Sequence, residues 1–266
     1  MSADDNKLYR RLIFLNNQSI IQSEALLKSI IIKKKRVSVV DHSYLSCRHH
    51  LFMVLGTMLA QNVTKQQNPN NLLIGLGGGG LCNYIMNYLS HMKTVAVEID
   101  PEICTIAKEY FGLNEDGSKL KIVVEDGMKF LKETTEKFES ILFDVDCKDS
   151  SLGLSCPPKQ FLEPEVLQSV KSSLSSDGVF VLNLVCRDNA IRESTIKDLV
   201  SSFPFIWSYK LEEDLNEIFY CWQRPIENFS ALTKTTAKKL NSIKKGTFEP
   251  SDIEELLEKL SLESLN

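Results

Sequence analysis

The sequence predicts an α/β fold built around a parallel, doubly wound sheet. From residue 72 onward, apolar stretches of strand length alternate with amphipathic stretches of helix length. The first of these strands runs directly into the glycine-rich segment 75–80. Strand and helix units that alternate at this length form parallel sheets, because the right-handed crossover returns each strand to the same direction. A loop with few side chains also lets a ligand approach the backbone N–H groups at the start of the next helix.

The composition limits both the size of the protein and its partners. With 266 residues, of which 43% are hydrophobic, the chain can bury one sizeable core. The formal net charge of −4 provides no general attraction to nucleic acid or to anionic lipid. The longest nearly apolar stretch, residues 51–60, is about half as long as a membrane-spanning helix. We expect a cytoplasmic protein with neither nucleic-acid nor membrane partners.

The cysteines and histidines indicate reduced thiols and no metal. The seven cysteines are scattered and include no pair with C-x-x-C spacing, so neither a disulfide framework nor a zinc site is expected. His49 and His50 are adjacent in the sequence. Adjacent side chains on a helix point about 100° apart, which makes a poor metal site.

The N-terminal part of the chain predicts a small antiparallel sheet, because apolar segments alternate with polar turn residues. The basic run Lys33–Arg36 is typical of a solvated turn, with a contact surface for an acidic partner as the alternative. From residue 43, apolar side chains recur every three or four positions and predict a helix. The predicted elements are strands within 12–15, 19–21, 29–32 and 37–40, a helix over 43–60 and a polar linker over 61–71.

The remainder of the chain follows the strand-turn-helix rhythm and then changes character. Five strands are predicted over 72–74, 94–99, 121–124, 140–143 and 179–185, and their helices over 81–89, 101–111, 128–134, 161–174 and 191–202. An antiparallel pair over 207–211 and 216–222 follows, and then a basic stretch over 233–245 and an acidic amphipathic stretch over 249–263, which predict a terminal helix pair or a partner-binding helix. We expect three regions: a hairpin region 1–42, a ligand-binding domain 43–225 and a helical tail 226–266.

Acidic residues stand at the carboxyl ends of three predicted strands. In doubly wound sheets, ligands bind beyond these ends, where the strand order reverses. Glu98 lies about twenty residues after the glycines, and a carboxylate there can accept hydrogen bonds from both hydroxyls of a ribose. Asp126 can accept from an amino group of a base, and Asp144 and Asp146 lie where a transferable group would point.

Two cofactors fit this arrangement. Segment 75–80 also satisfies the G-x-G-x-x-G fingerprint of dinucleotide binding, so a nicotinamide-dependent oxidoreductase stays an alternative. Against it, only one glycine-rich unit is present, and the last two strands are predicted to be antiparallel. The acidic strand ends fit the sulfonium and ammonium charges of S-adenosylmethionine better.

The motifs also resemble, in order and spacing, those of class I methyltransferases in their spermidine-synthase-like form. The matching segments are Gly75–Gly79, Val95–Pro101, Glu125–Gly127 and Ile141–Asp144, together with Ile20–Glu24 and Tyr44–Met53 nearer the N-terminus. Over about residues 7–225 the chain is more closely similar to the C-terminal domain of the methyltransferase-like protein 13 family. The segments that carry this likeness are Tyr9–Leu15, Gln22–Ala25, Phe143–Asp146, Leu154–Pro158 and Asn183–Asp188.

The resemblance implies a Rossmann-like class I methyltransferase fold with an N-terminal β-hairpin extension, and S-adenosylmethionine as the cofactor. It implies methylation of the α-amino group of translation elongation factor 1-alpha. We expect Asp144 to hold this amine, and Asp146 or the Leu154–Pro158 loop to shape the substrate channel. The implied cofactor-binding residues are Gly75, Gly77, Gly79, Glu98, Ile99, Asp126, Gly127 and Asp144.

The family also has a separate N-terminal domain that methylates a lysine, and this chain shows no counterpart of it. We therefore expect an isolated half, a short form or a paralogue without the lysine activity. A homodimer stays open. His49 and His50 lie near the position where spermidine synthases place cofactor-facing residues of their first helix, which implies either a lid contact or helix packing.

The chain departs from spermidine synthases at two positions. Those enzymes carry an aspartate within the glycine loop where this chain has Gly78. They also have an Asp-x-x-Asp-Pro motif at strand four, where this chain has Asp144, Asp146 and Asp149 without the proline. These differences count against polyamine recognition. An aminopropyltransferase and a catalytically silent scaffold remain the alternatives to a protein methyltransferase.

Overall fold

The N-terminal part forms a separate three-stranded sheet. The computed structural model describes residues 7–15, 18, 20–147, 153–212, 214–243, 248–260 and 262–265. Lys33 and Lys34, with φ angles of 47° and 64°, make the tight turn between the second and third strands. The predicted small sheet is confirmed, and its antiparallel strands pair in the order β1 Leu8–Leu12, β2 Ser23–Ile32 and β3 Lys35–Val40.

The strand bounds of this sheet correct the prediction in three places. The first strand lies earlier than predicted, since β1 contains only Leu12 of the predicted strand 12–15. Ile20 and Ile21 lie in the loop before β2, because the register that pairs Leu12 with Ser23 leaves them beyond the end of the ladder. Lys35 and Arg36 belong to β3 and pair with the end of β2, so the turn itself is only two residues long. Residues 16 and 17 of the predicted turn and residue 19 of the predicted strand 19–21 lie outside the described part of the chain.

Nine further strands form the main sheet within the described residues. The strands are β4 Asn70–Ile74, β5 Lys93–Glu98, β6 Leu120–Val124, β7 Phe138–Phe143, β8 Leu154–Cys156, β9 Leu174–Cys186, β10 Phe205–Lys210, β11 Asn216–Trp222 and β12 Glu263–Ser264. The centre of the sheet is parallel, because β4 pairs with β5 and β7, β5 pairs with β6, and β7 pairs with β9. The order across the sheet is β12-β10-β11-β9-β7-β4-β5-β6, with β8 attached to β9.

This order confirms the doubly wound prediction. The chain moves outward from β4 through β5 to β6, and then returns to the other side of β4 with β7 and β9. The switch point therefore lies between β4 and β7. The predicted antiparallel pair at the end is also confirmed, since β11 runs antiparallel to both β9 and β10.

Helices cover both faces of the main sheet and divide its core into two layers. Alternate residues of one strand enter opposite layers: Leu142 packs on one face, and Ile141 and Phe143 on the other. The helices are α1 Arg48–Thr64, α2 Gly80–Tyr88, α3 Pro101–Glu109, α4 Gly127–Glu133, α5 Pro164–Ser173, α6 Asn189–Ser202, α7 Phe229–Ile243 and α8 Pro250–Glu254, with a 3₁₀ turn at Lys159–Leu162 and a π-helical turn at Glu255–Lys259. In the described part of the chain, no helix combines the length and the apolar character that crossing a membrane requires.

The first helix begins later than predicted. The Asp41 carboxylate accepts hydrogen bonds from the backbone N–H and the hydroxyl of Ser43, at 3.1 and 2.7 Å. Such local side-chain bonds hold a turn and compete with helix formation. As a result α1 begins at Arg48, which places His49 and His50 in its first turn.

The C-terminal tail packs against the body of the protein. Phe229, Leu240 and Leu256 lie in the same apolar cluster as Leu55 of α1 and Tyr220 of β11. The predicted terminal helix pair is confirmed, but its second member is shorter than the predicted stretch 249–263, because α8 and the π-helical turn end at Lys259 and β12 follows. The boundaries of the three expected regions stay predictions.

Candidate active site at the carboxyl edge of the sheet

The glycine loop is held between the two strands that flank β4. Gly75 follows β4 with a φ of +92°, and its N–H donates to the Val97 carbonyl of β5 at 2.9 Å. A Cβ atom at this position would overlap the backbone carbonyl of Asp144, which follows β7. A residue with a side chain therefore fits neither the backbone angle nor the space.

The N-terminal sheet closes over the same loop. The Gly78 N–H donates to Ser23 Oγ, at the start of β2, with a distance of 2.8 Å. Gly77 and Gly79 both have positive φ angles, and Gly79 is the N-cap of α2. The loop thus presents a backbone surface at a helix N-terminus, which is the arrangement that accepts polar cofactor groups.

Glu98 lies at the end of β5, directly beside this loop. Its Oε2 accepts a hydrogen bond from the Leu76 N–H at 3.1 Å, and its Oε1 accepts one from the Asp100 N–H at 3.0 Å. Each carboxylate oxygen has a second lone pair, so both can still accept a hydroxyl donor. Ile99 is 64% exposed beside it and offers an apolar surface at the same edge.

Asp126 and Gly127 connect β6 to α4. Asp126 caps this helix, because its Oδ1 accepts from the N–H groups of Met128 and Lys129 at 2.8 and 3.1 Å. Its Oδ2 takes part in neither bond. Gly127 is buried, and a Cβ there would overlap the Ile74 side chain, so this glycine allows α4 to pack against β4.

Asp144 carries the densest set of contacts at this edge. Its Oδ1 accepts from Asn183 Nδ2 at 2.9 Å and lies 3.4 Å from His49 Nε2. Its Oδ2 lies 2.8 Å from His50 Nε2. The side chain is only 20% exposed. One carboxylate at the end of β7 is therefore oriented by α1 and by β9 together.

These neighbours keep the carboxylate ionised. Burial acts to raise the pKa of Asp144, but the charge of His49 and the hydrogen bonds from both imidazoles outweigh burial and hold that pKa well below its usual value. For His49, burial acts to lower the pKa, but the charge of Asp144 and its hydrogen bond raise it overall. For His50, burial and the neighbouring charge of His49 lower the pKa.

Asp146 lies near Asp144 and is held by the N-terminal sheet. Gln22 Nε2 donates to Asp146 Oδ2 at 2.8 Å. Burial and the negative charge of Asp144 raise the pKa of Asp146 above its usual value. The predicted channel segment 154–158 begins with β8, which pairs with β9 next to this carboxylate pair, whereas Asp149 lies outside the described residues.

Three contributors to the site were not singled out from the sequence. Asn183 is a polar residue inside the apolar strand β9, and this mismatch is the signal that could have identified it. Gln22 and Ser23 lie in a segment that carries the family resemblance, but the sequence did not indicate their partners, which lie far along the chain. The histidine pair, expected to serve packing or a lid, contacts the proposed amine-binding carboxylate directly.

Cys47, His49 and His50 place donor atoms within 4.8 Å of one another. Both imidazoles face the Asp144 carboxylate, and burial, followed by the charges of Asp144 and Asp146, raises the pKa of the Cys47 thiol to about 12. A thiol that keeps its proton is a poor metal ligand. The arrangement therefore favours an imidazole–carboxylate cluster, and the absence of a metal stays a prediction.

Comparison with known proteins places this site in a family. The family model for the spermine/spermidine synthase domain matches residues 52–202. A relative from Drosophila pseudoobscura pseudoobscura, named eEF1A lysine and N-terminal methyltransferase homolog, is 42% identical over 271 residues, which is 96% of this chain and 40% of the relative. The chain thus spans about two fifths of the length of the curated relatives it matches.

Solved structures give the same fold. The crystal structure of human methyltransferase-like protein 13 in complex with SAH matches with a TM-score of 0.67 and 32% identity, and the match covers 78% of this chain and 99% of that one. Spermidine synthase from Thermotoga maritima matches with a TM-score of 0.59 over 95% of both chains at 14% identity, a likeness of fold alone. The expected spermidine-synthase-like class I methyltransferase fold is confirmed.

Proposed function

The chain belongs to the spermine/spermidine synthase domain family, and from that premise we propose that it is an S-adenosylmethionine-dependent protein methyltransferase acting on the N-terminal α-amine of elongation factor 1-alpha. The observation that carries the proposal is the Asp144 carboxylate, oriented by three nitrogen donors beside a glycine loop. The names of the relatives, which refer to eEF1A lysine and N-terminal methylation, support the substrate. The lysine activity is not part of the proposal.

The residues at the strand ends fit the cofactor. S-adenosylmethionine supplies a methyl group bonded to a positively charged sulfur. Glu98 would accept hydrogen bonds from the ribose hydroxyls, exposed Ile99 would pack against the adenine ring, and Asp126 would accept from the adenine amino group. The backbone of the loop around Gly77 would receive the remainder of the molecule, because the positive φ angles of Gly75, Gly77 and Gly79 set the course of this loop at the start of α2.

Asp144 binds and orients the substrate amine in this proposal. Methyl transfer is an in-line displacement, so the enzyme contributes alignment, exclusion of water and a neutral nucleophile. A carboxylate that stays ionised accepts hydrogen bonds from the amine and stabilises the positive charge that develops on nitrogen. Asp146, held by Gln22, borders the approach to this carboxylate.

Replacement of Asp144 by alanine separates these roles. We expect turnover to fall by about a hundredfold or more, because a preorganised electrostatic contact to the reacting group is lost. Affinity for the cofactor, measured by calorimetry, should change little. An equal loss of cofactor affinity and turnover would contradict the division of roles.

The function itself is tested with a peptide that carries the N-terminal sequence of elongation factor 1-alpha and a free α-amine. Mass spectrometry after incubation with S-adenosylmethionine should detect methylation of this peptide and none of the same peptide acetylated at its N-terminus. Light scattering of the same purified protein decides between monomer and homodimer.

Calorimetry with three cofactors distinguishes the alternatives. Binding of S-adenosylmethionine alone supports the methyltransferase. Binding of decarboxylated S-adenosylmethionine with transfer to a polyamine would replace it by an aminopropyltransferase, despite Gly78 in the loop. Binding of NAD would indicate an oxidoreductase. A protein that binds none of these three compounds would be a catalytically silent scaffold.

A further inference from the structure

The adjacent residues His49 and His50 both reach one carboxylate, although they lie on consecutive positions of α1. Their Nε2 atoms are 3.4 and 2.8 Å from the two oxygens of Asp144, and their rings are 4.4 Å apart. Consecutive helical side chains normally diverge. Here α1 begins at Arg48, so both rings can turn toward the edge of the sheet.

We propose that His49, supported by His50 and acting through Asp144, accepts the proton that the substrate amine must lose before methyl transfer. This inference rests on the proposed function and deepens it. It adds a proton acceptor to a site in which Asp144 alone was assigned to the amine.

The need for an acceptor follows from the chemistry of the substrate. A terminal α-amine has a pKa of about 8, so most of it is protonated at neutral pH and lacks the lone pair that attacks carbon. Asp144 is a poor destination for this proton, because its pKa lies well below the usual value. An imidazole, with an ordinary pKa of about 6.5, is a far better acceptor.

The surroundings of the pair assign different roles to its two members. The acidic groups that face it are Asp144 and Asp146 beyond β7 and Asp214 in the loop before β11, and Cys47 lies beside it. These charges raise the pKa of His49, so the proton from the amine is more stable there than on Asp144, whereas burial and the charge that His49 then carries lower the pKa of His50. Neighbouring groups whose pKa values are displaced in opposite directions are typical of a proton acceptor and its partner.

The proposed step is balanced in atoms and charge. His49 is neutral before this step, and the ammonium group of the substrate gives one proton, by way of the Asp144 carboxylate, to His49, which becomes the imidazolium. The neutral nitrogen then forms a bond to the methyl carbon while the carbon–sulfur bond breaks and its electron pair moves to sulfur. The products are a neutral thioether and a methylated ammonium group. His49 is 18% exposed and returns its proton to solvent before another methyl group is added.

The test is the pH dependence of kcat/KM for the free-amine peptide, measured on the full chain with His49→Gln and His50→Gln. Glutamine keeps a hydrogen-bond donor near Asp144 but does not titrate. For His49→Gln we expect a loss of about tenfold at pH 7, because only about a tenth of the amine is then neutral without an acceptor, and recovery of most of that loss above about pH 9. Cofactor affinity should remain within about twofold. His50→Gln should lower the rate without moving the acid limb of the profile.

The matched control is His91→Gln, which changes an exposed histidine outside the site and should leave the profile unchanged. His49→Asn provides a second variant, with circular dichroism to confirm folding. A wild-type profile in His49→Gln, a loss that is equal at every pH, or a shifted acid limb in His50→Gln alone overturns the assignment. If the wild-type protein methylates no peptide at any pH, the proposed function fails, and this inference fails with it.

Discussion

At the scale of single residues, the two carboxylates beyond β7 differ because their neighbours differ. Asp144 has imidazole and amide donors around it, whereas Asp146 has one amide donor from Gln22 and a carboxylate beside it. The first arrangement stabilises the ionised form, and the second opposes it. The sequence segment Asp-Val-Asp therefore contains two acids with opposite electrostatic roles.

This difference predicts the effect of Asp146→Asn on stability. The pKa of Asp146 is raised in the folded state, so ionisation of this group destabilises the fold once the pH rises above its unfolded value of about 3.9. Asparagine keeps an oxygen for Gln22 and removes the charge. We expect the variant to be more stable than wild type at pH 7 and the difference to shrink as pH falls toward 4, measured by urea unfolding. A difference that grows on acidification would contradict this account.

A second prediction at this scale concerns Gly75. Alanine there combines a positive φ with overlap onto the Asp144 carbonyl, so we expect it to lower the free energy of unfolding by about 2 kcal/mol or more. Gly80→Ala is the matched control. Its Cβ would point into open space on the first residue of α2, and the change should be neutral or slightly stabilising. Equal effects in urea unfolding would show that the loop tolerates side chains.

At the scale of elements, Arg48 connects the start of α1 to the C-terminal tail. Its guanidinium contacts Asp252, Asp214 and the buried carboxylate of Glu255. Glu255 is 1% exposed and also accepts from the Tyr209 hydroxyl and the Glu212 N–H, both at 3.0 Å. The tail therefore fixes the helix turn that carries His49 and His50.

Removal of this cation should be costly. Arg48→Met leaves Glu255 as a buried charge without its guanidinium, and we expect the free energy of unfolding to fall by about 3 kcal/mol. Lys259→Met removes exposed ion pairs with Glu212 and Glu254 and should have a much smaller effect on stability. Chemical denaturation measures the free energy of unfolding of both variants. Similar decreases in the two would show that the buried Arg48–Glu255 contact stabilises the protein no more than an exposed ion pair does.

Some secondary-structure elements were predictable from the sequence, and others were not. The parallel strands were predictable, because burial on both faces gives β4 and β7 short apolar runs at their carboxyl ends, Leu72–Ile74 and Ile141–Phe143. The start of α1 was not, because the Asp41–Ser43 turn replaces helix over the preceding residues. In the site, acids at strand ends were predictable from strand order. The contact of His50 with Asp144 spans 94 positions and left no local pattern.

At the scale of the whole molecule, the two ends of the chain are attached differently. The two apolar clusters of the described core contain no residue before Leu45, whereas Phe229, Leu240 and Leu256 of the tail are buried in one of them. The N-terminal sheet instead meets the body through contacts that include Gln22 and Ser23 at the site and a hydrogen bond from Arg10 of β1 to the Tyr110 carbonyl. The tail is thus part of the core, and the N-terminal sheet is part of the site.

Two truncations test this distinction. A chain ending at residue 225 loses buried side chains of the core, so we expect no cooperative thermal unfolding. A chain starting at residue 43 should still unfold cooperatively. Its cofactor affinity should fall by about tenfold, because the Gly78–Ser23 hydrogen bond is lost. Cooperative unfolding of the chain ending at residue 225, together with its loss in the chain starting at residue 43, would contradict this distinction.

The neighbouring positions of Gln22 and Ser23 have one more consequence. Ser23 accepts a hydrogen bond from the glycine loop, on the side of the site proposed for the cofactor, and Gln22 donates one to Asp146, on the side proposed for the peptide. One short segment of backbone therefore contacts both sides of the site. We expect occupation of either side to shift the same segment and thereby to couple the two affinities thermodynamically. Because such coupling is reciprocal, the factor by which cofactor tightens or weakens peptide binding equals the factor by which peptide changes cofactor binding.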